Sequence, residues 1–170
     1  FPYRAVLTEI SRAKDSGITP EQYLARAQAT HNPRSIRIGE VYQTYWQRLF
    51  SAGAMDFDDL IYNTVRLLDE HEDVREHWQR RFRYVLIDEY QDTNNLQYQL
   101  AALLADGWGN ICVVGDDDQS IYKFRGATIE NILNFEKQYK NARTIRLEQN
   151  YRSTGRILDA ANHVIANNTG

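Results

Sequence analysis

The sequence predicts an α/β protein in which a helical stretch comes first and a parallel sheet with flanking helices follows. Up to about residue 82, apolar residues recur at spacings of three to four, which is typical of amphipathic helices. After Arg83 the pattern changes to short, continuous apolar runs separated by helical stretches. This strand–helix alternation favours a parallel sheet covered on both faces.

Composition and charge limit the class of protein. Hydrophobic residues make up 42% of the 170 residues and charged residues 25%, which are ordinary values for a globular domain. No apolar run approaches the roughly 20 residues of a membrane span, and the first residues do not resemble a signal peptide, so we expect a cytoplasmic protein. Residues 57–106 carry 5 Lys/Arg against 11 Asp/Glu, and this distribution of charge excludes a uniformly basic surface that coats DNA. Because the only methionine is Met55, we expect the chain to be part of a longer protein.

The helical part contains two helix starts and one loop signal. Residues 19–22, Thr-Pro-Glu-Gln, predict a helix start with a capping box. Asp56, followed three residues later by Asp59, predicts a second start. The stretch from Asn32 to Gly39 begins with Asn-Pro and ends in glycine, a composition typical of a loop.

Three apolar runs predict the strands of the sheet: residues 84–87, 111–114 and 144–147. Helices are expected at residues 96–104, 129–139 and 153–166, the last with Ser153 as a plausible cap. Cys112 lies inside the second run and is expected to be a small core residue. Each run ends in a polar cluster, and ligands of parallel sheets bind beyond the carboxyl ends of the strands. The chemistry of the protein is therefore expected at that edge.

Asp88 and Glu89 follow the first run directly. Ionised carboxylates are costly to desolvate without partners, and Mg²⁺ is a suitable partner because it prefers carboxylates, water and substrate phosphates. The adjacent acid can then orient or deprotonate a water that attacks a phosphoryl group. The dipeptide alone is equally compatible with a strand end that runs into a solvated loop.

A richer segment, residues 115–127, follows the second run. Gln119 is expected near the same edge, where its amide could hydrogen-bond a phosphate oxygen. The next residues mix rings and cations, which suits single-stranded nucleic acid because bases stack on rings for about 1–3 kcal/mol each and arginine contacts phosphates. The residues concerned are Tyr122, Lys123, Phe124 and Arg125. Alternatively, the two rings are alternate core residues of a loop or short strand.

The third run leads into Tyr151 and Arg152. An arginine at the start of a helix could reach a phosphate held by another lobe, as an arginine finger does. The tyrosine could stack on a purine. For either residue alone, a surface arginine and a half-buried tyrosine are the simpler interpretation.

Several sites are excluded by the sequence. None of the nine glycines is followed by lysine, so the phosphate-binding loop G-x-x-x-x-G-K-[ST] does not occur in this chain. The four histidines and the single cysteine are scattered, which excludes a zinc cluster. The nucleophile pattern G-x-S-x-G is also absent.

Three segments together resemble motifs II, III and IV of the UvrD/PcrA/Rep superfamily 1 DNA helicases. They are residues 86–93 (LIDEYQDT), 114–122 (VGDDDQSIY) and 147–153 (LEQNYRS), in the family's order and spacing. Residues 55–60 (MDFDDL) resemble a further family segment. The resemblance covers the chain from about residue 40 onward, whereas residues 1–39 match only as a helical stretch.

The resemblance implies two RecA-like domains of the P-loop NTPase type, with ATP between them and single-stranded DNA across their tops. It assigns residues 1–54 to a helical inserted subdomain, 55–148 to the second half of the first motor domain and 149–170 to the start of the second. It also implies an ATP- and Mg²⁺-dependent helicase that translocates 3′ to 5′ on single-stranded DNA and unwinds duplexes at junctions, in DNA repair or replication.

The resemblance also implies roles for particular residues. Asp88 would hold magnesium, Glu89 would activate the attacking water, and Gln119 would contact the γ-phosphate. Arg152 would reach the γ-phosphate from the second domain, with Tyr151 against the adenine. The implied DNA contacts are Tyr122, Phe124, where the family often has tryptophan, Arg125 and Phe57. The phosphate-binding loop and the final arginine motif are expected elsewhere in the longer protein, so the isolated piece is expected to be inactive.

Two alternatives stay open at this point. One is a non-catalytic module that binds nucleic acid or a partner and keeps the fold without the phosphate-binding loop. The other is the motor part of a helicase–nuclease subunit. A phosphate-binding loop before Phe1 would favour a motor, and a nuclease domain after Gly170 would favour the helicase–nuclease.

Overall fold

The computed structural model describes residues 2–120 and 126–167, which form two compact units, residues 1–132 and 133–170. The described residues are mostly helical and contain a two-stranded parallel sheet. This confirms the α/β class and the order of a helical part before the sheet. In the described part of the chain, no helix is both long and apolar enough to cross a membrane.

Helices fill the first 81 residues, as the periodicity predicts. Their bounds are α1 Tyr3–Asp15, α2 Pro20–Ala29, α3 Pro33–Ser51, α4 Phe57–Glu70 and α5 Glu72–Arg81. The predicted capping box at Thr19 is present, and the predicted helix start at Asp56 has a capping box as well. The Thr19 side chain accepts a hydrogen bond from the Gln22 amide at 3.2 Å, and the Gln22 side chain accepts one from the Thr19 amide at 3.1 Å. At α4, Asp56 and Asp59 exchange the same pair of bonds at 2.9 and 3.1 Å.

The prediction of a loop between Asn32 and Gly39 is wrong, because these residues belong to the start of α3. Asn32 is instead the N-cap of α3, where its Oδ1 accepts hydrogen bonds from the backbone amides of the second and third helical residues at 3.0 and 3.2 Å. Pro33 occupies the first helical position, where its missing N–H costs nothing. Gly39 lies inside the helix, and a Cβ there would meet the Leu24 Cα at 3.2 Å. The glycine therefore allows a close contact between α2 and α3.

Two apolar clusters form the core of the first unit. One gathers residues of α1 and α3 around Tyr42, whose hydroxyl donates to the Ile18 carbonyl at 3.0 Å. The other joins α4 to the helix that follows the first strand, through Tyr62, Val65 and Leu96. Full burial of each large apolar side chain contributes about 1.5–3 kcal/mol, so these clusters stabilise the packing of the helices in the first unit.

The sheet consists of β1 Val85–Ile87 and β2 Ile111–Val113, joined by α6 Asn95–Ala105. The strands pair in parallel with Leu86 opposite Cys112. Helix α6 packs against β1 and against α4. The first two predicted strands, the intervening helix and the parallel pairing are thus confirmed.

Only one face of this sheet is covered by the described residues, so the expectation of a sheet covered on both faces is not met. Side chains alternate across a strand, and Leu86 is 75% exposed while its partner Cys112 is also exposed. The prediction that Cys112 is a core residue is therefore wrong. Its side chain lies on the open face, and an apolar run does not reveal which face of a strand is covered.

Residues 130–167 depart further from prediction. The single helix expected at residues 129–139 is two short ones, α7 Glu130–Leu133 and α8 Phe135–Gln138. The expected strand at 144–147 has no regular structure, and Ile145 and Leu147 are exposed. A strand needs a partner to satisfy its backbone, and the described residues pair none with this segment.

Helix α9 spans Gly155–Ile165, which confirms the last predicted helix but not its cap. Thr154, rather than Ser153, occupies the N-cap position, and its side chain makes no capping hydrogen bond. The turn before the helix is organised by Asn150 instead. Its Oδ1 accepts from the amides of Arg152 and Ser153, each at 2.9 Å.

Candidate functional site

The polar clusters that follow β1 and β2 lie at one edge of the sheet. Pairing continues past both strand ends, because the Val114 amide donates to Ile87 at 2.8 Å and the Tyr90 amide donates to Val114 at 2.9 Å. The chain therefore leaves both strands side by side. This brings Asp88 and Glu89 close to the segment that begins at Gly115.

The two acids after β1 are exposed and have a defined backbone. The Asp88 Oδ1 accepts a hydrogen bond from the Glu89 amide at 2.9 Å. Glu89 has φ 52° and ψ 42°, in the left-handed region, and leads directly into a 3₁₀ turn at Tyr90–Asp92. A non-glycine residue there costs about 1–2 kcal/mol, and such strain clusters at functional sites.

Gln91 connects this acidic pair to the loop after β2. Its side chain is 1% exposed. Its Nε2 donates to the Glu89 carboxylate at 2.7 Å, and its Oε1 accepts from the Asp116 amide at 3.0 Å. Sequence reasoning missed this residue because glutamine is usually exposed, and its burial depends on a loop 25 residues away along the chain.

Asp116 carries the connection on to Gln119. One of its carboxylate oxygens caps the 3₁₀ turn Asp117–Gln119 by accepting from the Asp118 amide at 3.1 Å. The other oxygen accepts from the Gln119 side-chain amide at 2.7 Å. We call the connected set Glu89, Gln91, Asp116 and Gln119 the rim chain. Two predicted residues, Glu89 and Gln119, thus stand at its two ends.

Gly115 gives Gln91 the space it occupies. A Cβ at Gly115 would lie 2.6 Å from the Gln91 Oε1 and 2.8 Å from the Ile132 Cδ1. Contacts this short would force at least one of these two side chains to shift. The absence of a side chain at Gly115 therefore leaves room for Gln91 in its observed position.

The predicted DNA contacts Tyr122, Phe124 and Arg125 lie outside the described residues. The chain that follows them is fixed to the loop after β1. The Thr128 amide donates to the Thr93 carbonyl at 3.1 Å, and the Asn131 side-chain amide donates to the same carbonyl at 3.0 Å. The described residues on both sides of the segment are thus held by the loop that carries the acidic pair.

The remaining DNA candidate in the first unit, Phe57, is the first residue of α4 and is 79% exposed. The start of this helix is fixed by Lys14, which is 1% exposed. Its Nζ lies 2.7 Å from a carboxylate oxygen of Asp56 and 2.7 Å from one of Asp59. The Tyr45 hydroxyl donates to the same Asp56 oxygen at 2.8 Å. We call Lys14, Tyr45, Asp56 and Asp59 the α4 ion cluster.

The α4 ion cluster shifts two titrations. Burial raises the pKa of Asp56, but hydrogen bonds from Lys14, from the Asp59 amide and from Tyr45 outweigh this, so the pKa lies below the usual 3.8. Burial first, and then the hydrogen bond to Asp56, raises the pKa of Tyr45 to about 12. Asp56 is therefore ionised and Tyr45 protonated at neutral pH.

Tyr151 and Arg152 belong to the second unit. Both side chains are exposed, and the Arg152 amide is held by Asn150 in the turn before α9. The structure thus brings together Asp88, Glu89 and Gln119 within the first unit. The roles predicted for Tyr151 and Arg152 stay predictions.

One further acidic group includes Asp116 of the rim chain. The carboxylates of Asp116, Asp117 and Asp118 lie within 4.8 Å of one another, and all three residues are exposed. Exposed acidic groups of this kind are common in proteins that bind no metal, and two oxygens of this group already accept hydrogen bonds. We assign no metal to them.

The first unit thus contains a parallel β–α–β unit whose first strand ends in an acidic pair, which hydrogen bonds link to the loop after the second strand. The chain belongs to the UvrD/REP helicase N-terminal domain family, whose model matches residues 2–140. This confirms the family that motifs II, III and IV indicate.

Individual relatives agree with this assignment. The chain is 50% identical over 169 residues to the ATP-dependent DNA helicase PcrA of Bacillus subtilis, a match that covers 99% of this chain and 22% of that protein. It is 50% identical over 174 residues to the ATP-dependent DNA helicase UvrD1 of Mycobacterium tuberculosis, covering 98% of this chain and 23% of that protein. The chain spans less than a quarter of the length of these curated relatives.

Proposed function

We propose that the protein containing this chain is an ATP-dependent DNA helicase that couples ATP hydrolysis to 3′-to-5′ translocation on single-stranded DNA and to duplex unwinding, in DNA repair or replication. The observation that carries the proposal is the rim chain. It links a strand-end acid to Gln119 in the loop after β2, in a chain 50% identical to helicases of this kind.

The proposal includes an assignment of domains. Residues 55–148 form the second half of a first RecA-like domain, residues 149–170 begin the second, and residues 1–54 belong to a helical inserted subdomain. The parallel pairing of β1 with β2 through α6 supports a RecA-like sheet. The phosphate-binding loop lies elsewhere in the protein, because the sequence of this chain excludes it.

Asp88 suits a magnesium ion that accompanies ATP. Its carboxylate is exposed at the carboxyl end of β1, and Mg²⁺ takes one or two carboxylates together with water and phosphate oxygens. When bound, the ion neutralises charge on the phosphate oxygens. The Asp88 carboxylate also accepts a hydrogen bond from the Glu89 amide and so helps to fix the backbone of Glu89.

Glu89 acts as the base that orients and deprotonates the attacking water. Its carboxylate is exposed and is held by Gln91, a neutral donor that leaves the negative charge in place. Gln119 contacts the γ-phosphate through its amide. Arg152 reaches the same phosphate from the second domain, and Tyr151 lies against the adenine.

DNA binding is assigned to Tyr122, Phe124 and Arg125, with Phe57 as a further contact. The rings stack on bases without sequence preference, and the guanidinium contacts phosphate. Phe57 is supported by its exposure, because a large apolar side chain at the start of a helix gains from a stacking partner. The substrate is therefore single-stranded DNA next to a duplex junction.

The test is Glu89→Gln in the full-length protein. Loss of a general base lowers turnover by about 10²–10⁴-fold, so DNA-stimulated ATP hydrolysis should collapse while nucleotide binding survives. Steady-state hydrolysis and binding of a fluorescent ATP analogue measure the two properties. Glu72→Gln, an exposed acid on α5, is the matched control and should hydrolyse ATP normally.

Two outcomes would contradict the proposal. Turnover that stays at the wild-type rate in Glu89→Gln would remove the catalytic role of this residue. A wild-type protein without ATP hydrolysis in the presence of single-stranded DNA would favour a non-catalytic binding module.

A further inference from the structure

We propose that Gln91 is a positioning residue, which orients the Glu89 carboxylate for water activation and couples it to the loop that carries Gln119. This inference rests on the proposed function and deepens it. Gln91 does not contact the substrate in this scheme. It acts through Glu89 on one side and through Asp116 on the other.

The first argument is the burial of Gln91. A side-chain amide that is 1% exposed must satisfy both its oxygen and its nitrogen inside the protein. Here the two atoms serve different segments, since the nitrogen binds the acid after β1 and the oxygen binds the backbone after β2. One side chain thus fixes the distance between the segment after β1 and the segment after β2.

The second argument concerns the direction of the amide. The backbone N–H of Asp116 can only donate a hydrogen bond, so the side-chain oxygen of Gln91 must face it. The Glu89 carboxylate can only accept, so it requires the nitrogen. Exchanging the two atoms would create two repulsive contacts. The loop after β2 therefore dictates that an N–H of Gln91 points at the catalytic carboxylate.

The third argument is that the connection continues beyond Asp116. This residue caps the turn Asp117–Gln119 and accepts the Gln119 side chain. A displacement of the Glu89 carboxylate thus shifts the Gln91 side chain, and with it the loop that carries Gln119. The hydrogen bonds form an uninterrupted series from the Glu89 carboxylate to the Gln119 side chain.

The experiment compares Gln91→Leu and Gln91→Glu in the full-length protein. The leucine variant loses both contacts, whereas the glutamate variant still accepts from Asp116 but cannot donate to Glu89. We expect DNA-stimulated kcat to fall about 10–100-fold in both, as is usual when an orienting partner is lost. The KM for ATP and the Kd for single-stranded DNA should change less than about threefold, because no binding contact is removed.

A double-mutant cycle separates positioning from a general structural role. In a Glu89→Gln background, single-turnover hydrolysis should be insensitive to Gln91→Leu, because the group on which Gln91 acts is already lost. Multiplicative losses in the double variant would overturn the inference. Equal values of kcat for Gln91→Leu, Gln91→Glu and the wild type would do the same.

Two further variants guard against misfolding. Gln79→Leu is the matched control, because the Gln79 Nε2 donates to the Leu103 carbonyl at 2.7 Å without contacting the rim chain. It should lower the thermal midpoint and leave kcat unchanged, and an equal loss of kcat there would reduce Gln91 to a structural role. Gly115→Ala should reproduce the kinetics of Gln91→Leu, since its Cβ would take the place of the glutamine. If Gln91→Leu fails to fold, Gln91→Glu decides the question.

The two proposals fail in different ways. A wild-type protein without DNA-stimulated ATP hydrolysis refutes the proposed function before any Gln91 variant is measured. A wild-type protein with normal hydrolysis whose Gln91 variants are equally active refutes the positioning role alone.

Discussion

The α4 ion cluster and the rim chain use similar side chains in different surroundings. Each contains two carboxylates and a nitrogen donor at 2.7 Å, which contacts both carboxylates in the α4 ion cluster and only Glu89 in the rim chain. In the α4 ion cluster the donor is a buried ammonium, and Asp59 is buried with it. In the rim chain the donor to Glu89 is a buried amide, while both acids of the set, Glu89 and Asp116, are exposed.

The charge of the donor explains the difference in use. Lys14 pairs with both Asp56 and Asp59 and offsets part of their negative charge, which makes their burial tolerable and leaves little capacity to bind anything else. Gln91 orients Glu89 without cancelling its charge, so the carboxylate stays available to a water or a ligand. A carboxylate paired with a cation thus contributes to stability, whereas one paired with a neutral amide stays available for the catalytic role that we propose for Glu89.

The largest expected effect on stability comes from Lys14→Met. Removing one partner of a buried ion cluster costs about 3–5 kcal/mol, because Asp59 then remains buried without a counter-charge. Hydrogen–deuterium exchange of the full-length protein should show faster exchange in α1 and at the start of α4. Lys137→Met, at an exposed position, is the control. If α1 keeps its wild-type protection, the α4 ion cluster does not stabilise this junction.

A smaller effect is expected from Asp56→Asn, which keeps a cap for α4 but removes the charge. Losing a hydrogen bond to a charged group costs about 1.5–3 kcal/mol at neutral pH. The pKa of Asp56 is lowered in the folded state, so its stabilising contribution is present above 3.8 and is lost as the pH falls through the folded value.

Hydrogen exchange at the start of α4 reports the free energy of local opening. Measured at neutral pH and at pH values below 3.8, it gives the stabilising contribution of the Asp56 charge. The difference between the wild type and Asp56→Asn should shrink as the pH falls below 3.8. A difference that is independent of pH would show that the charge of Asp56 does not stabilise the fold.

The smallest effect on stability is expected from Asp116→Ala in the rim chain. Loss of a cap at an exposed short turn costs about 0.5–1 kcal/mol. The variant also loses the hydrogen bond between Asp116 and the Gln119 side chain. DNA-stimulated ATP hydrolysis should therefore fall several-fold, a larger effect than the one on stability. Hydrogen exchange and hydrolysis, measured on the same preparation, compare the two. A large loss of protection with normal hydrolysis would reverse the contrast between the two regions.

Local chemistry made much of the fold predictable. The capping boxes at Thr19 and Asp56 depend on residues three positions apart, so the sequence contains all of their partners. The first two strands were recognisable as apolar runs, and their parallel pairing places Glu89 and the loop to Gln119 at one edge, as expected for strand ends.

The errors concern features that depend on distant neighbours. Gly39 suggested a loop, but its role is to admit Leu24 of another helix. Residues 144–147 have the composition of a strand and no partner among the described residues. Gln91 was missed because only the fold shows that a loop far along the chain buries it.

The left-handed backbone conformation of Glu89 favours a residue other than glutamate. Glycine would adopt φ 52° and ψ 42° without the clash that a Cβ introduces, so on conformational grounds alone it suits this turn better. The side chain that the proposed reaction needs and the one that the backbone favours are therefore different residues. An effort to make this protein more heat-resistant by relieving strain would replace the proposed catalytic acid at this position.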